Sequence, residues 1–156
     1  MAEQPTAFRS LSGPALRLAL LDNRPERRQL MRKVVEAGPG EVVVVGEAGT
    51  ASEAIAVVGE RYVDVVIVEV QLPVEEGVQT IGQLRARYPS LGLAVCSFHL
   101  SPETQRRARD CGADVYLSKP ITPRHLSDSL AVLTFCRAFA RTGADAHRWA
   151  GVGAGL

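Results

Sequence analysis

The chain has 156 residues, of which 46% are hydrophobic and 22% are charged, and its formal net charge is +1. This length fits one domain, and the composition is that of a globular protein with ample material for a core. The near-neutral charge argues against broad capture of nucleic acid or anionic lipid, because such proteins carry many uncompensated basic residues. No apolar run approaches the ~20 residues of a membrane span, and the N-terminal residues lack the apolar segment of a secretory signal. We therefore expect a cytoplasmic protein that makes no membrane contact and no direct nucleic-acid contact.

Five short apolar segments predict buried strands, at residues 18–21, 42–49 with a turn, 65–68, 91–96 and 115–117. They are continuously apolar, as strands buried on both faces are. Before the first strand, residues 1–15 are polar and contain Pro5, Gly13 and Pro14, which predicts a flexible leader. The Gly- and Ala-rich segment 142–156 predicts a flexible tail.

A segment of helical character follows each strand. The boundary signals are Pro25 for the first helix, a Thr50/Glu53 capping box for the second, Pro89 after the third, Ser101, Pro102 and Gly112 around the fourth, and Thr122, Pro123 and Gly143 around the fifth. The predicted core-facing residues are Leu30, Met31, Val34 and Val35 in the first helix, Ala54, Ile55 and Val58 in the second, Val78, Ile81 and Leu84 in the third, and Leu126, Leu130 and Leu133 in the fifth, with Phe135 as a further candidate.

The strict alternation of strands and helices predicts a three-layer α/β domain with a parallel sheet between two helical layers. In such domains binding sites lie at the carboxyl ends of the strands. The polar residues that follow the predicted strands are Asp22, Asn23, Glu69, Ser97 and Lys119. Carboxylates suit a cation such as Mg²⁺, and a hydroxyl and an ammonium suit a phosphoryl group. The alternative is that these are ordinary loop residues, with Lys119 and Glu69 forming a structural ion pair.

Four segments resemble the receiver domain of two-component response regulators: "LALLDNRPERRQLM", "DVVIVEVQLP", "AVCS" and "CGADVYLSKP". The segments "VVGEAGTASEAI" and "QLRARYPSLGLAV" further resemble receivers of regulators with a LuxR-type helix-turn-helix. The resemblance implies a flavodoxin-like fold over residues 16–141, with five strands in the order 2-1-3-4-5 and five helices. It also implies a cis peptide bond between Lys119 and Pro120.

The resemblance implies a role for each polar position. The acidic pair corresponds to Asp22 and Asn23, the phosphoacceptor to Glu69, the switch residues to Ser97 and Tyr116, and the phosphate-binding lysine to Lys119. Gln71 corresponds to the residue whose backbone carbonyl binds the metal, so the candidate metal ligands are Asp22, Glu69 and Gln71.

Three positions depart from the family pattern. Glu69 replaces the acceptor aspartate, and its extra methylene pushes the carboxylate into the pocket, where attack geometry tolerates little misplacement. Asn23 replaces the main metal-ligating acid, and a neutral amide is a poorer Mg²⁺ ligand than a carboxylate. Phe98 stands where a small residue is usual and is expected to crowd the entrance of the cleft. We therefore expect weak or absent Mg²⁺ binding, no other cofactor, and no conventional phosphorylation.

The functional hypothesis is an atypical receiver domain that acts by protein–protein contact. Glu69 either mimics the phosphorylated state by reaching Lys119 or simply neutralises Lys119 and locks one state. The expected partners are proteins, namely a histidine kinase or an output protein. The late apolar residues Phe135, Cys136 and Phe139 either form a second stripe for a partner or a second copy of the chain, or belong to one wide stripe that faces the core. Two alternatives stay open: a pseudo-receiver triggered by a ligand or partner, and an N-terminal fragment of a DNA-binding transcription regulator. An enzyme that uses Glu69 has the least support, because no base, second acid or intact metal site accompanies it.

Overall fold

The computed structural model describes residues 15–38, 42–70, 74–98 and 101–141, with no account of the side chains of residues 74–75 and 136–141. The predicted leader (except residue 15), the predicted tail with Gly143, and Gln71 lie outside the described residues. The side chains of Cys136 and Phe139 lie outside them as well. In the described part, no helix is long and apolar enough to cross a membrane.

The described chain alternates five strands with five helices, as predicted. The elements are β1 (Leu16–Leu21), α1 (Pro25–Ala37), β2 (Val42–Ala48), α2 (Ala51–Glu60), β3 (Val65–Glu69), α3 (Val74–Arg87), β4 (Gly92–Ser97), α4 (Pro102–Cys111), β5 (Val115–Ser118) and α5 (Pro123–Arg141).

The five strands form one parallel sheet in the order β2-β1-β3-β4-β5. This confirms the order that the resemblance implied. Side chains alternate along each strand, so every strand contributes to two separate hydrophobic clusters. One cluster packs Ala54, Ile81 and Ala108, from α2, α3 and α4, against one face of the sheet. The other packs Met31 and Leu130, from α1 and α5, against the opposite face. The three-layer architecture is therefore confirmed.

The helix boundaries follow the local signals in the sequence. Thr50 caps α2 by accepting the Glu53 N–H at 3.2 Å, while the Glu53 carboxylate reaches back to the Gly49 N–H at 2.7 Å, not to the Thr50 N–H of a standard capping box. Ser101 caps α4 by accepting the Thr104 N–H at 3.1 Å. Gly112 follows α4 with φ of 114°, the left-handed conformation that favours glycine. The Lys119–Pro120 bond is cis, as implied.

Two predicted core positions are wrong. Leu30 is 62% exposed and Phe135 is 55% exposed. Each lies beside a correctly predicted stripe, formed by Met31 and Val35 in α1 and by Leu130 and Leu133 in α5. A helix turns by about 100° per residue, so a residue one or two positions from the stripe points away from the sheet. The stripe that faces the core is narrower in both helices than the run of apolar residues suggests.

Candidate functional site

Four neighbouring strands bring polar residues to one edge of the sheet. Asp22 follows β1, Glu69 ends β3, Ser97 ends β4 and Lys119 follows β5. The parallel register aligns these ends: Glu69 pairs with Cys96, and Ser97 pairs with Ser118. The Lys119 N–H donates to the Ser97 carbonyl at 2.9 Å, which continues the β4–β5 ladder into the loop. The convergence that the sequence predicted at the carboxyl edge is therefore present for these four residues.

The centre of the site is an ion pair between Glu69 and Lys119. The Lys119 ammonium contacts Glu69 Oε2 directly. Only 6% of the Glu69 side chain and 12% of the Lys119 side chain are exposed. A third group, Arg27 on the first turn of α1, places Nη1 4.0 Å from the other carboxylate oxygen, Oε1. Glu69 is thus a buried carboxylate between two cations that come from different elements.

Burial has the largest effect on the pKa of the Glu69 carboxyl. Desolvation raises the pKa of its carboxyl above the ordinary value of 4.5. The hydrogen bond and the positive charge of Lys119 oppose this rise, the negative charge of Asp22 adds to it, and the charge of Arg27 opposes it more weakly. The ion pair therefore does not fully compensate the loss of water around the carboxylate.

Asp22 has a structural task at the site. Its side chain is buried, and Oδ1 accepts the Arg24 backbone N–H at 2.9 Å, a local bond that orders the turn before α1. Its backbone carbonyl accepts a hydrogen bond from Arg28 Nη1 at 2.5 Å. The neighbouring Asn23 is exposed. A shallow cavity of about 130 Å³ lies here, and its polar lining comprises Asp22, Asn23, Thr50, Glu69, Glu76 and Thr80.

Ser97 and Phe98 differ sharply in exposure. Ser97 is 2% exposed and lies inside the edge, whereas Phe98 is 61% exposed. The Lys119 ammonium lies 5.4 Å from the centroid of the Phe98 ring, within cation–π range. Phe98 therefore stands at the rim of the site beside the cation. Whether it restricts entry stays a prediction.

Tyr116 points inward from β5 and is 8% exposed. Its hydroxyl is buried and makes no well-aligned hydrogen bond within the described part of the chain, where Arg109 is the polar group that acts on it. The Arg109 guanidinium of α4 lies 5.8 Å from the ring centroid. Burial raises the pKa of Tyr116 above 10.0, and the nearby Arg109 opposes the rise. The Tyr116 ring thus connects β5 to α4 through its contact with Arg109.

Sequence reasoning did not assign Arg27 or Arg109 to the site. Arg27 lies in the first turn of α1, three residues into the helix that begins directly after the Asp22 turn. That position was the available signal, because the first turn of a helix following a parallel strand starts at the same edge as the site.

The match to known proteins agrees with this geometry. A family profile described as "Response regulator receiver domain" matches residues 18–131. The chain belongs to this family. The receiver domain is 28% identical to the uncharacterized transcriptional regulatory protein YxjL of Bacillus subtilis, over 81% of this chain and 58% of that protein. It is 25% identical to the chemotaxis protein CheY of Halobacterium salinarum, over 77% of this chain and 98% of CheY.

A similar solved structure is that of a LuxR-family two-component response regulator from Aurantimonas, with a TM-score of 0.70 and 26% identity. The match covers 78% of this chain and 86% of that chain. Other curated relatives are much longer than this chain, which spans 30% of a protein-glutamate methylesterase from Hahella chejuensis and 16% of the sensory protein RpfC from Xanthomonas campestris. The receiver fold and the LuxR-type neighbours that the resemblance implied are thereby confirmed.

The described donors of this receiver domain fit a divalent cation poorly. Asp22 already uses Oδ1 for the Arg24 N–H, Asn23 is a neutral exposed amide, and Glu69 is paired with Lys119. Within residues 15–38, 42–70, 74–98 and 101–141, no three His, Cys, Asp or Glu side chains are grouped so that they can hold a metal ion. The remaining candidate, Gln71, lies outside these ranges. Weak or absent Mg²⁺ binding stays a prediction.

Proposed function

We propose that this receiver domain signals by protein–protein contact without accepting a phosphoryl group, and that Glu69 holds it in one signalling state. The observation that carries the proposal is the buried Glu69–Lys119 ion pair. The resemblance assigns these two positions to the phosphoacceptor and the phosphate-binding lysine. In this chain the lysine is already neutralised by the residue that would have to be modified.

The position of the carboxylate also argues against phosphoryl transfer. The longer Glu side chain extends toward Lys119 and occupies the direction from which a phosphoryl group would approach. Transfer demands that the reacting atoms be held within a fraction of an ångström of the productive geometry. A buried carboxylate that is bonded to the Lys119 ammonium is also a poor nucleophile, because this ion pair must be broken before the carboxylate can attack.

Mimicry of the phosphorylated state is the more specific form of the proposal. A phosphoryl group would contact Lys119 and bring more charge and more acceptor oxygens than a carboxylate. Glu69 supplies the Lys119 contact from within the chain, and Tyr116, on the strand that leads to Lys119, points inward. The competing form is that Glu69 neutralises Lys119 with no effect on Ser97 and Tyr116.

The first experiment is an amide NMR titration of the wild-type protein and of Glu69→Asp, with Mg²⁺ and then with beryllofluoride, a phosphoryl mimic. We expect no saturable shifts at residues 22, 69, 97 and 119 of the wild type. Saturating shifts centred on these residues would contradict the proposal. A response in Glu69→Asp alone would assign the block to the acceptor, whereas silence in both proteins would implicate Asn23 and Phe98 as well.

A comparison of the wild type with Glu69→Gln separates mimicry from simple neutralisation. Mimicry predicts that the amides of Ser97 and Tyr116 and the Tyr116 ring signals shift when the charge at residue 69 is removed. Neutralisation predicts shifts confined to the immediate partners of residue 69, namely Lys119 and Arg27.

The output of the domain is proposed from its relatives. The similarity to YxjL and to the LuxR-family regulator supports a role in a transcription regulator, with a histidine kinase or an output protein as partner. The methylesterase relative is covered over only 30% of its length, so its name supports no catalytic activity for this receiver. The 130 Å³ cavity is below the 300–1,000 Å³ that is typical of sites for drug-sized ligands, so a ligand-triggered switch has less support than the ion-pair mechanism.

A further inference from the structure

Glu69 is contacted by a separate cation at each of its two carboxylate oxygens. Lys119 contacts Oε2, and Arg27 Nη1 lies 4.0 Å from Oε1. The Arg27 side chain is 23% exposed, so the interaction is partly shielded from solvent. A very small cavity, about 10 Å³, is bounded by Asp22, Arg27, Glu69 and Lys119 together with α1 and core residues. These four charged groups are therefore close-packed.

The turn before α1 determines where Arg27 points. Asp22 Oδ1 accepts the Arg24 N–H, and the Arg24 carbonyl accepts the N–H groups of Arg27 and Arg28 at 3.1 and 3.2 Å. Because Pro25 stands at the first helical position, the helix starts abruptly after this turn. Arg28 is directed to the Asp22 carbonyl and to Glu47, which leaves Arg27 as the α1 guanidinium that faces Glu69.

The charges of these four groups cancel, and Arg28, which lines the same cavity, is paired with Glu47. Asp22 and Glu69 contribute two negative charges, and Arg27 and Lys119 contribute two positive charges. A divalent cation bound by oxygen ligands needs carboxylates that are not already compensated. We infer that Arg27 is a positioning residue whose positive charge takes the place of a divalent cation at this receiver site. The Glu69–Lys119 ion pair then forms without a bound metal ion. The inference rests on the proposed function and adds the reason why this ion pair is independent of Mg²⁺.

The test is a Mg²⁺ titration with no phosphoryl donor, followed at the amides of residues 22, 23 and 69. It uses the wild type, Arg27→Gln and Arg24→Gln. Arg24 is the matched control, because it is an exposed arginine beside the same turn and its loss changes the net charge equally. Removing a unit charge within a few ångströms should strengthen Mg²⁺ binding by at least ~10-fold in Arg27→Gln. The Kd of Arg24→Gln should stay within about twofold of wild type, since exposed charges are screened.

Two further variants guard against misfolding and against unspecific effects. Arg27→Lys keeps the charge and is expected to bind Mg²⁺ no better than wild type. Arg27→Met replaces Arg27→Gln if the latter does not fold. The inference is overturned if the neutral Arg27 variants gain no affinity, if Arg24→Gln gains as much, or if Arg27→Lys gains as much. It is also overturned if neither neutral variant folds even with Mg²⁺ present, because the metal would then be unable to replace the guanidinium.

The outcomes separate this inference from the proposed function. If the wild type does not bind beryllofluoride and Arg27→Gln gains no affinity for Mg²⁺, only the role of Arg27 is refuted. If the wild type binds beryllofluoride and Arg27→Gln gains affinity for Mg²⁺, only the phosphorylation-independent mode is refuted.

Discussion

Two partly buried clusters of cations and carboxylates lie at opposite edges of the sheet, and they are built differently. At the amino edge of β4 and β5, Arg85 donates to the carbonyls of Gly112, Pro89 and Leu91 and to Asp114 Oδ2, over distances of 2.6–3.1 Å. Asp114 also accepts the Leu93 N–H at 2.8 Å. We call this group the Arg85 cluster. Its guanidinium is matched mainly by backbone groups whose charge cannot change.

The Glu69 cluster, formed by Glu69, Lys119 and Arg27, lies at the carboxyl edge, and its ion pairs join side chains from three different parts of the chain. Its central carboxyl has a raised pKa, because burial outweighs the compensation by Lys119. Asp114, with 17% of its side chain exposed, accepts a backbone N–H from Leu93 as well as a hydrogen bond from Arg85. We conclude that the Arg85 cluster holds α3, α4 and β5 together at fixed positions. The stability of the Glu69 cluster, in contrast, depends on the charge of its side chains.

The largest effect is expected from Arg85→Met. The substitution leaves several carbonyls and Asp114 without their charged donor, so the free energy of unfolding should fall by about 4 kcal/mol. Urea denaturation followed by circular dichroism measures this. Arg87→Met, an exposed site two residues away on the same helix, should change stability by less than about 0.5 kcal/mol. A loss below about 1 kcal/mol at Arg85 would mean that the cluster does not hold α3, α4 and β5 together.

At the other edge, Lys119→Met is expected to cost about 2 kcal/mol at neutral pH, because Glu69 keeps Arg27 as a partner and has the option of taking up a proton. Urea denaturation at pH 7 and pH 5 provides the comparison. The cost should shrink at the lower pH, whereas the cost of Arg85→Met should change little. An equal response of both variants to pH would remove the distinction between the two clusters.

The fold and the centre of the site were predictable from sequence because both depend on local patterns. Apolar strands of fixed length, Thr50 and Ser101 as caps, and Gly112 after α4 specify the elements, and parallel strands then bring Glu69 and Lys119 to one edge. The roles of Arg27 and Arg85 were not predictable in the same way. Arg85 bonds to Gly112 and Asp114, which are 27 and 29 positions further along the chain. Among the described residues, four of its five hydrogen bonds go to backbone carbonyls, which carry no sequence signal.

The apolar pattern of the sequence also did not predict the exact rotation of each helix about its axis. Leu30 and Phe135 extend apolar runs that are wider than the face each helix presents to the sheet. Arg27 faces Glu69 and Arg28 faces Glu47 because of the same rotation, which the Asp22 turn sets. A shift of one residue would exchange these two arginines. The sequence shows both arginines but does not say which of them completes the site.

The pH dependence of Glu69→Gln tests the raised pKa directly. Because the folded pKa of Glu69 is raised above 4.5, the native state holds this proton more firmly than the unfolded state does. The stability that Glu69 contributes is therefore greatest at pH values below 4.5 and is lost as the pH rises through the folded pKa. The wild-type minus Glu69→Gln difference in unfolding free energy should fall as the pH increases across this window. A difference that rises with pH would show that ion pairing, and not burial, dominates.

The smallest effect is expected from Tyr116→Phe, with Tyr88→Phe as its matched control. The Tyr116 hydroxyl is buried and makes no well-aligned hydrogen bond among the described residues, so its removal loses at most a weak interaction with Arg109 and relieves a desolvated polar group. Stability should stay within about 0.5 kcal/mol of wild type or rise slightly, and the ring should keep its contact with Arg109. The Tyr88 hydroxyl donates to the Ile55 carbonyl at 3.0 Å, so Tyr88→Phe should cost about 1 kcal/mol. If Tyr116→Phe costs as much as Tyr88→Phe, the Tyr116 hydroxyl has a hydrogen-bond partner in solution, and the inward position of this ring is held by that bond and not by packing alone.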